Sequence, residues 1–271
     1  FLPVTPDFYR LEVDDDPAFW DDLARRCSDR GVTYTQTVYP DYFTSKVYAL
    51  GDRHYRLLTE EEALRLGTRG IERHYRQTDL ARGQSNLLQA AIDRRAQIIN
   101  YATWNDWPEG QHLAPEVSRG FGPSMLLRHF AALWRGEPSP VVNQAAVFYK
   151  RHRSTAKPVH EIAVQVKSRR NEPSAEDEMQ VISFFPQPVR CELHGSEAAS
   201  IPAGFQLTRL PLPVNGAISL RFVAKDGQSK GVIEVPEAIT ESPVRTDRLT
   251  RSATTSFREE FRAMFGDVAP V

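Results

Sequence analysis

The sequence predicts an α/β region followed by an all-β region, and three observations carry that reading. Over residues 1–138, short apolar runs alternate with helical patterns, which is the signature of βα units that build a parallel sheet. The character changes at "EPSPVVN", after which short segments rich in β-forming residues follow one another, divided by Pro, Gly and Asn. That spacing predicts an antiparallel β-sandwich over residues 139–240. Residues 241–271 are then a polar tail whose end, "TSFREEFRAMFG", has the period of a short amphipathic helix that docks on a neighbouring surface.

Taken in order, "FLPVTP" reads as a strand. "DPAFWDDLARRCSDRG" reads as a helix, with Pro17 near its start, acids in its first turns and Gly31 after its end. "VTYTQTVYP" is the next expected strand. Residues 41–82 form a polar excursion too long for a plain connector, and "TEEEALRLGTRGIERHY" within it is expected to be helical. The helix "SNLLQAAIDRRA", the strand "QIINYATW" and the helix "GPSMLLRHFAALWRG" complete the first region. The expected sandwich strands are "AAVFYKR", "HEIAVQVKS", "MQVISFF", "VRCELHG", "FQLTRLPL", "AISLRFVA" and "GVIEV". The basic stretches "YKRHRSTAK" and "KSRR" read as solvated strand ends and loops.

Composition narrows the function classes. With 41% apolar and 25% charged residues, the 271-residue chain has a sizeable core to bury. A formal net charge of -1 lacks the surplus of Lys and Arg that phosphate contacts need, so no nucleic acid and no anionic membrane surface is expected as partner. No apolar run of about 18 residues is present, so no membrane span is expected. Cys27 and Cys191 fall in different expected domains, which predicts no intradomain disulfide and leaves the redox compartment unread. Seven scattered histidines show no Cys or His pairing at ligand spacing, so neither a metal nor another cofactor is expected.

The stretch "NYATWNDWPEGQHLAP" stands apart from this background. It sits where a predicted strand ends, and its nine residues 104–112 gather two tryptophans, two carboxylates, an asparagine and a histidine. Glycosidic cleavage uses two carboxyl groups, one to protonate the leaving oxygen and one to support attack at the anomeric carbon. Asp106 and Glu109 offer such a pair, three residues apart, with Pro108 and Gly110 disfavouring regular helix and holding them on a bent turn. Trp104 and Trp107 present flat apolar faces suited to the C–H faces of a pyranose, while Asn105 and His112 can reach hydroxyls. A weak repeat, "VTPDFY" and "VYPDYF", ends two predicted strands. In a (β/α) barrel those ends share one mouth, which would bring Asp7, Tyr9, Asp41 and Tyr42 to the same site.

The motif "ATWNDWPEGQHLAP", preceded by a βα pattern and followed by a helix and a β-rich region, resembles the last barrel strand of glycoside hydrolase family 71, the α-1,3-glucanases or mutanases. It is also similar to the family 99 endo-α-mannosidases. "AAVFYKRHRSTAKP" and "IPAGFQLTRLPLPVNGAISLRF" look like parts of the sandwich that follows the barrel in family 71. The resemblance implies that Asp106 and Glu109 are the catalytic pair and that Trp104, Asn105 and Trp107 line the sugar site. It further implies the C-terminal part of a (β/α)8 TIM-type barrel joined to a β-sandwich. A complete barrel needs eight strands and about 250 residues, so the N-terminal remainder is expected from the same longer chain or from a second chain. The expected function is endo-α-1,3-glucan hydrolysis, with a non-catalytic glycan-binding protein or an endo-α-mannosidase-like hydrolase as alternatives. An extracellular or cell-envelope location follows from that function alone.

Overall fold

The computed structural model describes residues 17–38, 42–54, 56–76, 79–110, 112–158, 160, 162–167, 177–244 and 249–266. The strand expected over residues 1–6, with Asp7, Tyr9 and Asp41, lies outside the described residues.

Pro17, whose fixed φ and missing N–H suit a first helical turn, opens helix α1 (Pro17–Asp29). One face of α1 buries Trp20 and Ala24, four residues apart, and Ala24 packs with Tyr34, Ala91 and Ala96. Strand β1 (Thr35–Val38) pairs in parallel with β5 (Ile98–Tyr101), in a register that sets Val38 beside Tyr101. Helices α3 (Leu80–Asp93) and α4 (Gly122–Trp134) meet through Leu87, Leu88, Met125, Leu126 and Phe130, in the same apolar cluster as Val38. The expected βα alternation is present in this parallel pair and its helices.

Between β1 and α3 the chain builds a small separate sheet. It contains β2 (Tyr42–Phe43), β3 (Tyr48–Ala49) and β4 (Ile71–Arg76), in the order β2–β4–β3, all antiparallel. The helix expected through residues 59–75 stops early. Helix α2 (Glu60–Leu66) starts on a capping box between Thr59 and Glu62 and ends at Gly67, whose φ of 66° only glycine adopts easily. Past Gly70 the chain becomes the central strand of the small sheet instead, where Tyr75 is fully buried. A second departure concerns "HEIAVQVKS": its strand, β7 (Ala163–Lys167), leaves the sandwich and pairs in parallel with β4.

The antiparallel sandwich consists of two four-stranded sheets. The first joins β6 (Ala145–Tyr149), β8 (Glu178–Phe185), β11 (Gly204–Pro211) and β14 (Arg251–Thr254) in the order β11–β8–β6–β14. The second joins β9 (Val189–Leu193), β10 (Ser196–Ile201), β12 (Ser219–Ala224) and β13 (Ser229–Glu234) in the order β10–β9–β12–β13. Val147, Tyr149, Met179 and Val181 of the first sheet share a core with Val189, Cys191, Leu220, Phe222 and Ile233 of the second. Alternate residues of β6 and β8, including Ala146, Phe148, Ile182 and Phe184, face the other way and pack with α3 and α4. Burial on both faces explains why "AAVFY" and "MQVISFF" are continuous apolar runs rather than alternating ones. The layers therefore run sheet, sheet, helix pair, parallel strand pair.

Two readings of polar segments change. Strand β14, in the expected polar tail, is buried along its whole length beside β6. In "YKRHRSTAK", Lys150 and His152 are buried rather than solvated, because Lys150 Nζ donates to Thr250 Oγ1 at 3.1 Å and lies over the Tyr75 ring. The terminal helix α5 (Phe257–Phe265) docks as its period predicts, burying Phe257 and Phe261 against Phe121. Cys27 and Cys191 are both free thiols, and burial pushes the Cys191 thiol up to about 12.

Candidate functional site

Strand β5 ends at Tyr101, and the chain leaves it in a loop that closes on itself. Leu113 N–H donates to the Thr103 carbonyl and Ala114 N–H to the Trp104 carbonyl, both at 2.8 Å. Inside this loop Trp107–Glu109 form one turn of 3₁₀ helix. Pro108 is tolerated there because a first-turn N–H would have no helical partner, and Gly110 ends the turn at φ 63°. Asp106 stands immediately before the turn and Glu109 closes it, so one short bend of the loop carries both carboxylates.

The two carboxylates have different surroundings. Asp106 precedes the turn without capping it through its side chain. Glu109 Oε1 accepts from Lys46 Nζ at 2.8 Å, with the Glu109 side chain largely shielded and Lys46 half-exposed. Lys46 is brought there by the small sheet: Ser45 N–H donates to the Pro108 carbonyl at 2.6 Å, and Thr44 N–H to the His74 carbonyl at 3.0 Å. Residues 44–46 thus clamp the acid-bearing turn, which its surrounding sequence does not announce.

The other expected site residues divide into two groups. Trp104 and Trp107 keep 60% and 50% of their surface exposed, and Asn105 is exposed between them. His112, expected to reach a ligand hydroxyl, is buried; its ring lies 4.3 Å from the Trp107 ring and its Nε2 is 3.8 Å from Glu116 Oε1. Tyr42 is buried too, in the strand that packs beside the 3₁₀ turn. Asp7, Tyr9 and Asp41 remain outside the described residues.

Beside Trp107 and His112 lie further groups that the sequence did not point to, Glu116, Arg119, Thr250 and Arg251 among them. A cleft of about 500 Å³ is lined by Trp107, His112, Glu116, Arg119, Thr250 and Arg251, together with Ser118 and Leu249. The Glu116 carboxylate accepts from Ser118 N–H at 2.9 Å and Arg119 N–H at 2.6 Å, tying down a tight turn. Burial pushes the Glu116 carboxyl up, but the His112 ring and these two N–H groups together outweigh it and hold the group below its ordinary range. Arg251 is paired with Glu237. The only hint in the sequence is Glu three residues before Arg in "PEVSRG", a pattern shared with many surface turns.

The loop presents two exposed indoles beside two carboxyl groups that bracket one turn. No family model matches the chain, and neither a similar curated protein nor a similar solved structure was found.

Proposed function

We propose that the chain belongs to a glycoside hydrolase that cleaves an α-linked polysaccharide, α-1,3-glucan first and α-mannan second. One observation carries the reading: Asp106 and Glu109 bracket a single 3₁₀ turn, beside exposed Trp104 and Trp107, in the loop that leaves the C-terminal end of a parallel strand. Glu109 would protonate the leaving oxygen, and Asp106 would activate water or assist through the sugar's own 2-hydroxyl. No cofactor enters this chemistry.

The fold proposed to hold the site is the C-terminal part of a (β/α)8 barrel. Supporting this are the parallel β1–β5 pair and the helices packed behind it. Among the described residues β5 pairs on one edge only, and an apolar groove of about 430 Å³ lies between it and α4, lined by Ile98, Ile99, Leu127 and Trp134. Such an edge calls for cover, which further strands of the same longer chain or of a second chain would supply. The location would be extracellular or at the cell envelope, where such polymers occur.

A second reading, a glycan-binding protein without turnover, is favoured by the Lys46–Glu109 ion pair, which occupies one oxygen of the intended acid. Incubating the protein and its Glu109→Gln variant with α-1,3-glucan and α-mannan oligosaccharides separates the two. Reducing ends released by the parent protein but not by the variant support hydrolysis. Binding without release supports the second reading.

A further inference from the structure

Arg119 is 2% exposed, and its Nε, Nη1 and Nη2 are all buried without a hydrogen-bond partner among the described residues. A guanidinium cannot discard its charge at any ordinary pH, so a buried and unpaired one is strongly unfavourable unless something meets it. The neighbouring groups do not. Arg251 is a second cation, committed to Glu237. Glu116 has turned its carboxylate to two backbone N–H groups and His112. The buried Tyr101 hydroxyl, within electrostatic reach, is neutral, and its burial keeps it so. One positive charge is left over beneath a cleft of about 500 Å³.

The groups that line the cleft indicate what meets that charge. A planar guanidinium matches a carboxylate bidentately. A single uncompensated charge matches a monoanion, and the fixed Glu116 carboxylate in the same cleft disfavours a dianion. At the rim stands Trp107, half-exposed and backed by His112, offering an apolar face of the size of a sugar ring. Thr250 and Ser118 add hydroxyls along the wall. We propose that this cleft is a subsite for a uronic acid residue, its carboxylate entering to Arg119 and its ring lying against Trp107. The sugar part of this proposal rests on the glycan reading above; the anion part rests on Arg119 alone.

Calorimetric titration with D-glucuronate, D-glucose, acetate and inorganic sulfate tests it, alongside thermal melting of each mixture. Glucuronate is expected to bind at least tenfold more tightly than glucose or acetate and to raise the melting temperature. Arg119→Gln should abolish that preference, and it should melt no lower than the parent without ligand, because it removes an unpaired buried charge. Should that variant not fold, Trp107→Ala supplies the check: it should weaken glucuronate while leaving acetate unchanged. Equal binding of glucuronate and glucose, or an Arg119→Gln variant that keeps the preference, overturns the subsite. Acetate as tight as glucuronate overturns the sugar part, and sulfate tighter than glucuronate overturns the carboxylate assignment. Glu109→Gln should bind glucuronate like the parent. Absence of hydrolysis with glucuronate binding intact therefore counts against the hydrolase reading alone, and neutral-glucan hydrolysis without any glucuronate preference counts against the subsite alone.

Discussion

Lys46 Nζ sits 2.8 Å from Glu109 Oε1, although 63 residues separate them in the chain. The contact joins the small sheet to the acid-bearing turn, so the insertion between β1 and α3 has a direct bearing on the candidate chemistry. Removing the carboxylate and removing the ammonium should have unequal effects. Glu109→Gln should lower turnover by about a thousandfold or more, within the range that general acid catalysis contributes. Lys46→Met should lower it by about ten- to hundredfold through misplacement of Glu109. Because the pair is partly exposed, stability should change by less than about 1 kcal/mol in the lysine variant. Steady-state rates with oligosaccharide substrate, paired with melting curves, check both numbers. Unchanged turnover in Glu109→Gln would remove Glu109 from the catalytic pair.

Asp106→Asn should also abolish turnover while leaving sugar binding largely intact, since an amide still hydrogen-bonds a hydroxyl. Its carboxylate does not cap the turn, so the substitution leaves the local fold unchanged. Affinity for a non-hydrolysed oligosaccharide, measured beside the rate, distinguishes the roles. A variant that loses binding but keeps its chemistry would reverse them.

Trp104→Ala should weaken oligosaccharide binding by about tenfold, the worth of one aromatic platform at roughly 1.4 kcal/mol. With 60% of its surface exposed, the residue contributes little to the core, so the melting temperature should hold. Trp107→Ala should weaken binding comparably and lower stability somewhat more, because its ring covers His112. Binding as tight as the parent's in both variants would leave the tryptophans as a protein contact instead.

Several parts of this architecture were legible and others were not, for physical reasons. The doubly covered strands β6 and β8 identify themselves, because each of their faces demands apolar residues. Strand β4 hides, since its buried positions include Glu72 and His74, which lie 3.5 Å apart, and the His74 ring stacks on Tyr48 at 4.1 Å. Strand β14 hides likewise: "RSAT" reads as a loop, yet Ser252 donates to the Arg119 carbonyl and accepts from Gly122 N–H in the interior. The strand in "HEIAVQVKS" is readable, but its partner β4 is not, because pairing across some 90 residues leaves no local trace. The acid turn followed from Pro108 and Gly110; the cleft below it depends on residues 116–119 meeting 249–251 and did not.

Gly120→Ala should destabilise the protein by about 2–4 kcal/mol. Gly120 has φ 63°, and a Cβ there would lie 2.3 Å from the Ser252 carbonyl oxygen, which belongs to β14 backbone and cannot yield. Gly31 makes the contrast. Its φ is 64° with nothing within 4 Å, so alanine there should cost only the roughly 1 kcal/mol of the left-handed conformation. Urea unfolding of both variants measures the difference. Equal losses would mean that the turn after Arg119 is not pressed against β14.

Acid should weaken the fold through His129. Burial among Phe130, Phe184 and Phe205 holds this imidazole below its ordinary pKa, so in the folded state it stays neutral where the unfolded chain has bound a proton. The unfolded state then carries more protons, and stability falls as the pH drops below about 6.5. His129→Gln removes that titration, and the amide can still reach Ser139 Oγ, which lies 2.8 Å from Nδ1 in the parent. Melting temperatures from pH 7.5 to pH 5 should therefore fall less steeply in the variant. Parallel curves would place the acid sensitivity elsewhere.

The stereochemical outcome of cleavage separates the two family resemblances. Direct attack by water needs carboxyl groups about 6.5–9.5 Å apart and inverts the anomeric centre, whereas a covalent carboxylate intermediate needs about 5–5.5 Å and retains it. Attack by the sugar's own 2-hydroxyl also retains configuration without obeying either distance. Asp106 precedes the 3₁₀ turn and Glu109 ends it, and their torsions let the carboxyl groups approach or diverge, so the turn alone does not choose. Under the proposed α-1,3-glucanase reading, inversion is the expected result. Proton NMR of the first sugar released from an α-1,3-glucan oligosaccharide reads it directly. The β-anomer appearing ahead of mutarotation supports a water-activating Asp106; the α-anomer appearing first would overturn direct attack by water.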